Sequence, residues 1–202
     1  MNKETRTLPV ELRVSPVASD GFTRTLTGTA VVFDSLSENL GSFYEVIKPE
    51  AFRSAMSGTP DLPLYNNHNT SQVLSRSPGT MQLTMDSRGI HYTAQIDTRQ
   101  SYALDVALAV QRGDIKGNSF GFRALRDEYS DQNGKLVRSI LDAELIELSC
   151  TSLPAYKAST LNIRAACPPE LRHLLGPDAE DEDQGEDVIF ALLEIAKRKA
   201  SY

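Results

Sequence analysis

Basic clusters, long apolar runs and cysteines are all scarce in this 202-residue sequence, and each scarcity removes a class of function. No Lys/Arg-rich patch supplies the positive footprint that nucleic-acid binding requires, so no nucleic-acid partner is expected. No apolar run approaches the roughly 18 residues needed to span a bilayer, so no membrane segment is expected either. The opening MNKETRTLPVELRV has no apolar stretch behind its positive charges, which argues against a secretory leader. Cys150 and Cys167 are the only cysteines, and neither belongs to a CxxC pair. A disulfide framework and a zinc site are therefore not indicated, and both thiols read as buried or incidental in a reducing compartment. Nothing in the chain points to a metal or a cofactor.

What is present is the composition of a globular protein, 40% hydrophobic and 24% charged. The length suits one domain with a real core plus a short appendage. The formal charge of −6 is concentrated in Asp178, Glu180, Asp181, Glu182, Asp183, Glu186 and Asp187, a block without a base, so the rest of the chain is close to neutral. With Pro168-Pro169 ahead of it, this block reads as a linker over 166–187. Residues 188–202 read as an amphipathic helix or tail. Ile189, Leu192, Leu193 and Ile195 share one side of it, and Lys197, Arg198 and Lys199 lie at the end where cations suit the helix dipole. Residues 1–165 are left as the domain proper.

Within that domain the pattern is mostly β. Leu8–Val14 alternates apolar and polar residues as a half-buried strand does, and Arg24–Phe33 is rich in Thr and Val, with Gly28 allowing a bend or a close backbone approach. Phe43–Ile47 and Leu62–Tyr65 are further short strands, and Val73-Leu74 begins another. Met81–Met85 and Ile90–Ile96 form a hairpin around Asp86-Ser87-Arg88-Gly89, whose glycine can supply a positive φ. Gly117–Ala124, Leu136–Ile140 and Glu144–Thr151 complete the strands, with a turn at Asp131–Gly134. Two helices are expected: Pro49–Met56, with proline in its first turn, and Ser101–Arg112, with Tyr102, Val106, Ala109 and Val110 at helical spacing and Gly113 as the stop. Many short strands and few helices imply an antiparallel barrel or sandwich with helices outside it.

Three side chains are candidates for chemistry. His68 sits in the polar turn Asn66-Asn67-His68-Asn69, where a ring is presented rather than buried; the bland alternative is a solvated surface histidine. His91 falls on an alternating strand, and His173 lies near the tail without an obvious partner. Ser119 lies in Gly117-Asn118-Ser119-Phe120-Gly121-Phe122, where alternation sends Phe120 and Phe122 to one face and Ser119, Gly121 and Arg123 to the other. A hydroxyl beside a residue without a side chain leaves space for a substrate backbone; the bland alternative is an ordinary strand. Ser149 is a rival serine. In its strand Ile146, Leu148 and Cys150 form the apolar face, and Leu145, Glu147, Ser149 and Thr151 share the other. A hydroxyl is a poor nucleophile until an imidazole takes its proton, and the imidazole benefits from a carboxylate that fixes its tautomer. His68, Ser119 and Glu147 supply those three groups.

The chain resembles a family in an ordered series of segments. They are Gly28–Phe33, Tyr44–Phe52, Asn67-His68-Asn69 followed by Val73-Leu74, Gly113-Asp114-Ile115, Asn118–Phe122, Leu145–Ser149 and Pro154-Ala155-Tyr156. Over roughly residues 8 to 164 this is similar to the prohead serine proteases of tailed phages, also called capsid maturation proteases. The resemblance implies His68 and Ser119 as the catalytic pair and an acidic third member in the L-x-E-x-S strand, here Glu147, with Glu144 as the alternative. Strand parity favours Glu147. It also implies a fold similar to the herpesvirus assembly proteases, a seven-stranded β-barrel ringed by helices. Two positions depart from the family pattern, Asn69 in place of aspartate after the histidine and Asn118 in place of methionine before the serine. Both bear on substrate preference more than on mechanism.

By the same resemblance, the chain is expected to cleave the scaffold-like segment of the major capsid protein, and itself, through an acyl-enzyme. It is expected to act inside the assembling prohead in the host cytoplasm, and relatives in the viral assembly group make a homodimer the natural oligomer to look for. The competing reading is a catalytically inactive head-assembly protein that keeps the same body as a binding module. Retention of His68, Ser119 and Glu147 favours the enzyme.

Overall fold

The computed structural model describes residues 3–40 and 43–152. The boundary at 165, the linker 166–187, the helix or tail 188–202, His173 and Cys167 all lie outside the described residues. In chain order the elements are β1 (Glu4–Pro9), β2 (Arg13–Val14), β3 (Thr23–Val32), β4 (Tyr44–Ile47), α1 (Arg53–Met56), β5 (Leu62–Asn66), β6 (Asn69–Ser77), β7 (Met81–Met85), β8 (Gly89–Asp97), α2 (Ser101–Arg112), β9 (Gly117–Gln132) and β10 (Lys135–Thr151).

The mainly β character with few helices holds, and the arrangement is two open sheets. One runs β1-β9-β10-β5-β6, with β4 also pairing with β10; the other runs β2-β3-β8-β7. Neither set of ladders closes on itself among the described residues, in contrast to the expected seven-stranded barrel. Nor is the pairing antiparallel throughout, because β4 and β5 both run parallel to β10. Alternation within each strand is legible in the sequence, but closure depends on which edges meet, and that is set by long-range packing.

One core fills the space between the sheets. Leu26, Ala30, Ile90 and Ala94 from the smaller sheet and Leu64, Phe120, Phe122 and Leu148 from the larger are all buried in it. Phe52, just before α1, packs edge-on against Phe120 and Phe122, with ring centroids 6.4 Å apart in both pairs. Each fully buried phenylalanine contributes about 1.5–3 kcal/mol, so the alternation around Ser119 fixes its strand as expected.

Local expectations were met unevenly. Helix α2 has the expected bounds and stops at Gly113, whose φ of 81° is easy only for glycine. Its buried stripe is Ala103, Val106, Ala107 and Val110, so Ala103 and Ala107 replace the expected Tyr102 and Ala109, which are partly exposed. The segment expected to be helical from Pro49 is helical only over Arg53–Met56. Ahead of it the chain makes four-residue turns, with Ala51 N–H donating to Lys48 O and Arg53 N–H to Glu50 O. The single strand expected over 8–14 is split between β1 and β2, which belong to different sheets. The last three expected strands are instead two long ones, with irregularities at Ile140/Asp142, Asp142/Ala143 and Leu145/Glu147. Gly89 does not supply a positive φ. It lacks a side chain because a Cβ there would lie 2.0 Å from Val31 O. Gly28 does serve a close approach, since a Cβ would lie 2.7 Å from Asn118 Nδ2.

The edge strand β1 is tied down by buried charge. Arg6 donates from Nε to Glu45 Oε1 and from Nη2 to Glu4 Oε2, both at 2.8 Å. Arg138, whose side chain is 4% exposed, reaches Glu4 Oε2 at 2.7 Å, Glu45 Oε2 at 3.1 Å and Asp127 Oδ2 at 2.6 Å. Burial alone would raise the Glu4 carboxyl, but hydrogen bonding and charge from Arg138, and then from Arg6, outweigh it and hold the group below its ordinary value.

Candidate active site

The turn between β5 and β6 is as short as a hairpin turn can usefully be: Asn66 pairs with Asn69, and Asn67 and His68 are its two central residues. Both have positive φ, 48° and 61°, the conformation in which a two-residue turn matches the twist of its strands. Positive φ is uncommon for any residue with a side chain, and asparagine and histidine are among those that adopt it most readily. The His68 side chain is 33% exposed, so the polar turn presents it as the sequence suggested.

Strand β10 runs beside this turn, with Ser149 opposite Tyr65 and Cys150 opposite Asn66. Three contacts follow. Asn67 N–H donates to Cys150 O at 3.0 Å, His68 N–H donates to Ser149 Oγ at 3.1 Å, and the His68 ring meets Glu147 Oε1 through Nδ1 at 2.8 Å. The Glu147 side chain is 3% exposed. The same oxygen takes an ion pair from Lys3 Nζ at 2.7 Å.

On its other side β10 pairs with β9, which places Ser119 directly across from Ser149 and Gly121 across from Glu147. The gap left by Gly121 is not open for a substrate, as the alternation suggested. A Cβ there would lie 2.8 Å from Glu147 Cγ and 2.6 Å from Lys3 Cε, so the missing side chain makes room for the carboxylate and the lysine stem. Strict parity in β10 also fails locally. The irregularity between Leu145 and Glu147 turns Leu145 into the core and leaves Ile146 partly exposed, while Glu147 and Ser149 keep the shared face.

The structure therefore brings His68 and Glu147 into contact and sets Ser119 one strand away from them. Ser119 has no exposed surface, and its hydroxyl donates to Arg6 O on β1 at 2.9 Å. No hydrogen bond joins it to the His68 ring among the described residues. Glu144 is elsewhere, an exposed carboxylate bonded to Arg123 Nη1. His91 is also outside the group: its ring contacts Thr29 Oγ1 at 3.1 Å and Asp86 Oδ1 at 3.2 Å. The Asp86 carboxyl is lowered to about 2, mainly by the Arg88 backbone N–H and then by His91. Cys150 is buried, and burial pushes its thiol up to about 12. Among the described residues no group of three or more His, Cys, Asp or Glu side chains is placed to hold a metal ion.

Sequence reasoning missed three contributors. Asn118 is pinned by the Tyr92 hydroxyl at 2.8 Å and by its own donation to Thr29 O at 2.9 Å, which holds the strand immediately ahead of Ser119. Lys3 lies immediately before β1, and the Arg6 carbonyl comes from β1 itself, whose pairing with β9 sets Thr7 opposite Ser119. A buried asparagine before the serine was a readable signal. A backbone carbonyl and a lysine far away in sequence were not.

Comparison with known proteins gives three matches. Residues 10–168, well over half of the chain, match the family model described as caudovirus prohead serine protease. The prohead protease of Enterobacteria phage HK97 is 29% identical over 138 residues, covering 67% of this chain and 58% of the relative. The match thus spans less than two thirds of that relative's length. The solved capsid assembly protease of bacteriophage T4 superposes with a TM-score of 0.45 at 11% identity, covering 73% of this chain and 98% of that one.

Proposed function

Because the chain belongs to the caudovirus prohead serine protease family, we propose that it is a serine endopeptidase in which Ser119 is the nucleophile, His68 the general base and Glu147 the group that orients His68. The observation that carries the reading is the 2.8 Å contact between His68 Nδ1 and Glu147, residues 79 apart in sequence, one strand from Ser119. With Nδ1 held as donor to the carboxylate, Nε2 is the nitrogen left to accept a proton.

In this mechanism Ser119 turns about χ1 away from Arg6 O, and the cover over its hydroxyl opens to admit a peptide. Oγ attacks the scissile carbonyl carbon while its proton passes to His68 Nε2. The C–N bond then breaks, the leaving amine takes that proton, and the acyl group remains on Oγ. Water, deprotonated by His68 in turn, releases the acid and restores the serine. The proposed substrates are the scaffold-like segment of the major capsid protein and the protease itself, cut inside the assembling prohead.

The alternative, an inactive assembly module, is opposed by a buried carboxylate committed to an imidazole, a costly arrangement for a surface that only binds. Co-expression with the major capsid protein tests the reading. Wild type should shorten the capsid protein, and Ser119→Ala and His68→Ala should leave it whole. Cleavage persisting in both variants overturns the assignment. Self-processing should appear by mass spectrometry as a shorter species that Ser119→Ala abolishes.

A further inference from the structure

We propose that Ser149, which the function above does not use, is a positioning residue that holds the main chain of His68 so that its ring can meet Glu147; the inference deepens the proposed protease site and rests on that reading. Strand β10 grips His68 at two points. Glu147 takes the ring and Ser149, two residues on and on the same face, takes the backbone N–H at 3.1 Å. Ser149 has no exposed surface, so water does not compete for its hydroxyl. The residue it holds is one that benefits from holding: a side-chain-bearing residue at φ 61° is in a sparsely populated region and stays there when its surroundings fix it. The Asn67 N–H to Cys150 O bond secures only the entry to the turn.

The geometry also separates this role from that of a second nucleophile. The atom Ser149 engages is the amide nitrogen of His68, not the ring, and the ring nitrogen nearest β10 is already committed to Glu147. Ser119 and Ser149, although directly paired across strands, therefore have different duties. One supplies the reacting oxygen, and the other keeps the base in register with it.

The test uses the full chain carrying Ser149→Ala or Ser149→Thr. With a peptide substrate, Ser149→Ala should lower kcat about tenfold with KM nearly unchanged, the scale of one lost hydrogen bond to a group whose placement matters. Ser149→Thr, which keeps the acceptor oxygen, should recover most of it. In the Ser119→Ala background, where turnover plays no part, Ser149→Ala should shift the His68 amide resonance upfield in the nitrogen–proton spectrum. If alanine at 149 prevents folding, Ser149→Cys, nearly isosteric with a much weaker acceptor, makes the same separation.

An unchanged kcat together with an unmoved His68 amide overturns the proposal. So does fluorophosphonate modification of the peptide containing Ser149 rather than the one containing Ser119. Full activity in Ser119→Ala defeats the protease assignment instead, and the amide shift still decides whether Ser149 anchors the turn.

Discussion

Strands β9, β10 and β1 carry two groups of buried charge, and the two groups are completed in opposite ways. Toward the β9–β10 hairpin, Arg138 is enclosed by Glu4, Glu45 and Asp127, and Arg6 closes the circuit. Toward the other end, Glu147 is equally buried, but its partners are a ring that is 33% exposed and a lysine that is 42% exposed. In the first network Arg6, Arg138, Glu4 and Glu45 each meet two or more oppositely charged partners, with the 32% exposed Asp127 at its rim. The second leaves His68 Nε2 without a partner among the described residues. Removing a member of a closed network exposes an uncompensated charge and is felt as lost stability; removing a member of an open one is felt as lost chemistry.

The largest effect expected on either side of that comparison belongs to the open group. His68→Ala should reduce peptide hydrolysis by about 10⁴-fold or more, as removal of the base of such a unit does, while the midpoint of denaturant unfolding stays near that of wild type. A collapse of stability in this variant would mean that the ring serves the fold. Arg138→Ala is the mirror experiment. It should lower the unfolding free energy by about 3–5 kcal/mol, the cost of stranding buried carboxylates, with activity per folded molecule little changed.

The closed group also makes a pH prediction. The Glu4 carboxyl titrates below its ordinary 4.5 in the folded chain, so its contribution is complete above that value and fades as pH falls through the folded value. The wild type should therefore lose more stability than Arg138→Ala does when both are moved from neutral pH to below 4.5. Parallel losses would assign the acid sensitivity to other carboxylates.

What the sequence disclosed follows the same division. Alternation around Ser119 correctly sent Phe120 and Phe122 to the core, and the asparagine-rich turn correctly presented His68, because both are local rules of backbone geometry. The pairing of Glu147 with His68 was accessible through parity and resemblance, although the local irregularity at Leu145/Glu147 breaks strict parity beside it. The ionic enclosure of Arg138 was not legible at all. It joins residues from β1, β4, β9 and β10, and nothing near Arg138 in sequence marks it as buried. The order of strands in the two sheets was not legible for the same reason: strand pairing at a distance leaves no periodic trace.

A substitution of intermediate effect probes the wall between β9 and the carboxylate. In Gly121→Ala the new Cβ would lie 2.8 Å from Glu147 Cγ and 2.6 Å from Lys3 Cε. The lysine stem can swing outward, but the buried glutamate cannot, so Glu147 must shift against His68. Expected losses are about 10- to 100-fold in kcat from misplacement of the ring and about 1–3 kcal/mol of stability from overpacking. Steady-state kinetics alongside denaturant titration separates the two. A variant with lowered stability and normal kcat would show that the Glu147 position is less critical than its burial suggests.

The smallest effect is expected at Lys3, and its smallness is itself informative. Lys3 Nζ shares Oε1 with the His68 ring, yet its own side chain is 42% exposed, and solvent screening holds the pair's contribution to about 1 kcal/mol. Lys3→Ala should therefore change kcat by less than about fivefold, that free energy expressed as a rate. Lys3→Glu should do more harm, because it sets a second carboxylate against a buried one. Screening distinguishes a charge effect from loss of packing over Gly121. At about 1 M salt the Debye length contracts to about 3 Å, so the gap between Lys3→Ala and Lys3→Glu should narrow. If salt leaves that gap intact, the lysine acts through its stem rather than its charge. Glu147 would then be held for His68 without help from the Lys3 ammonium.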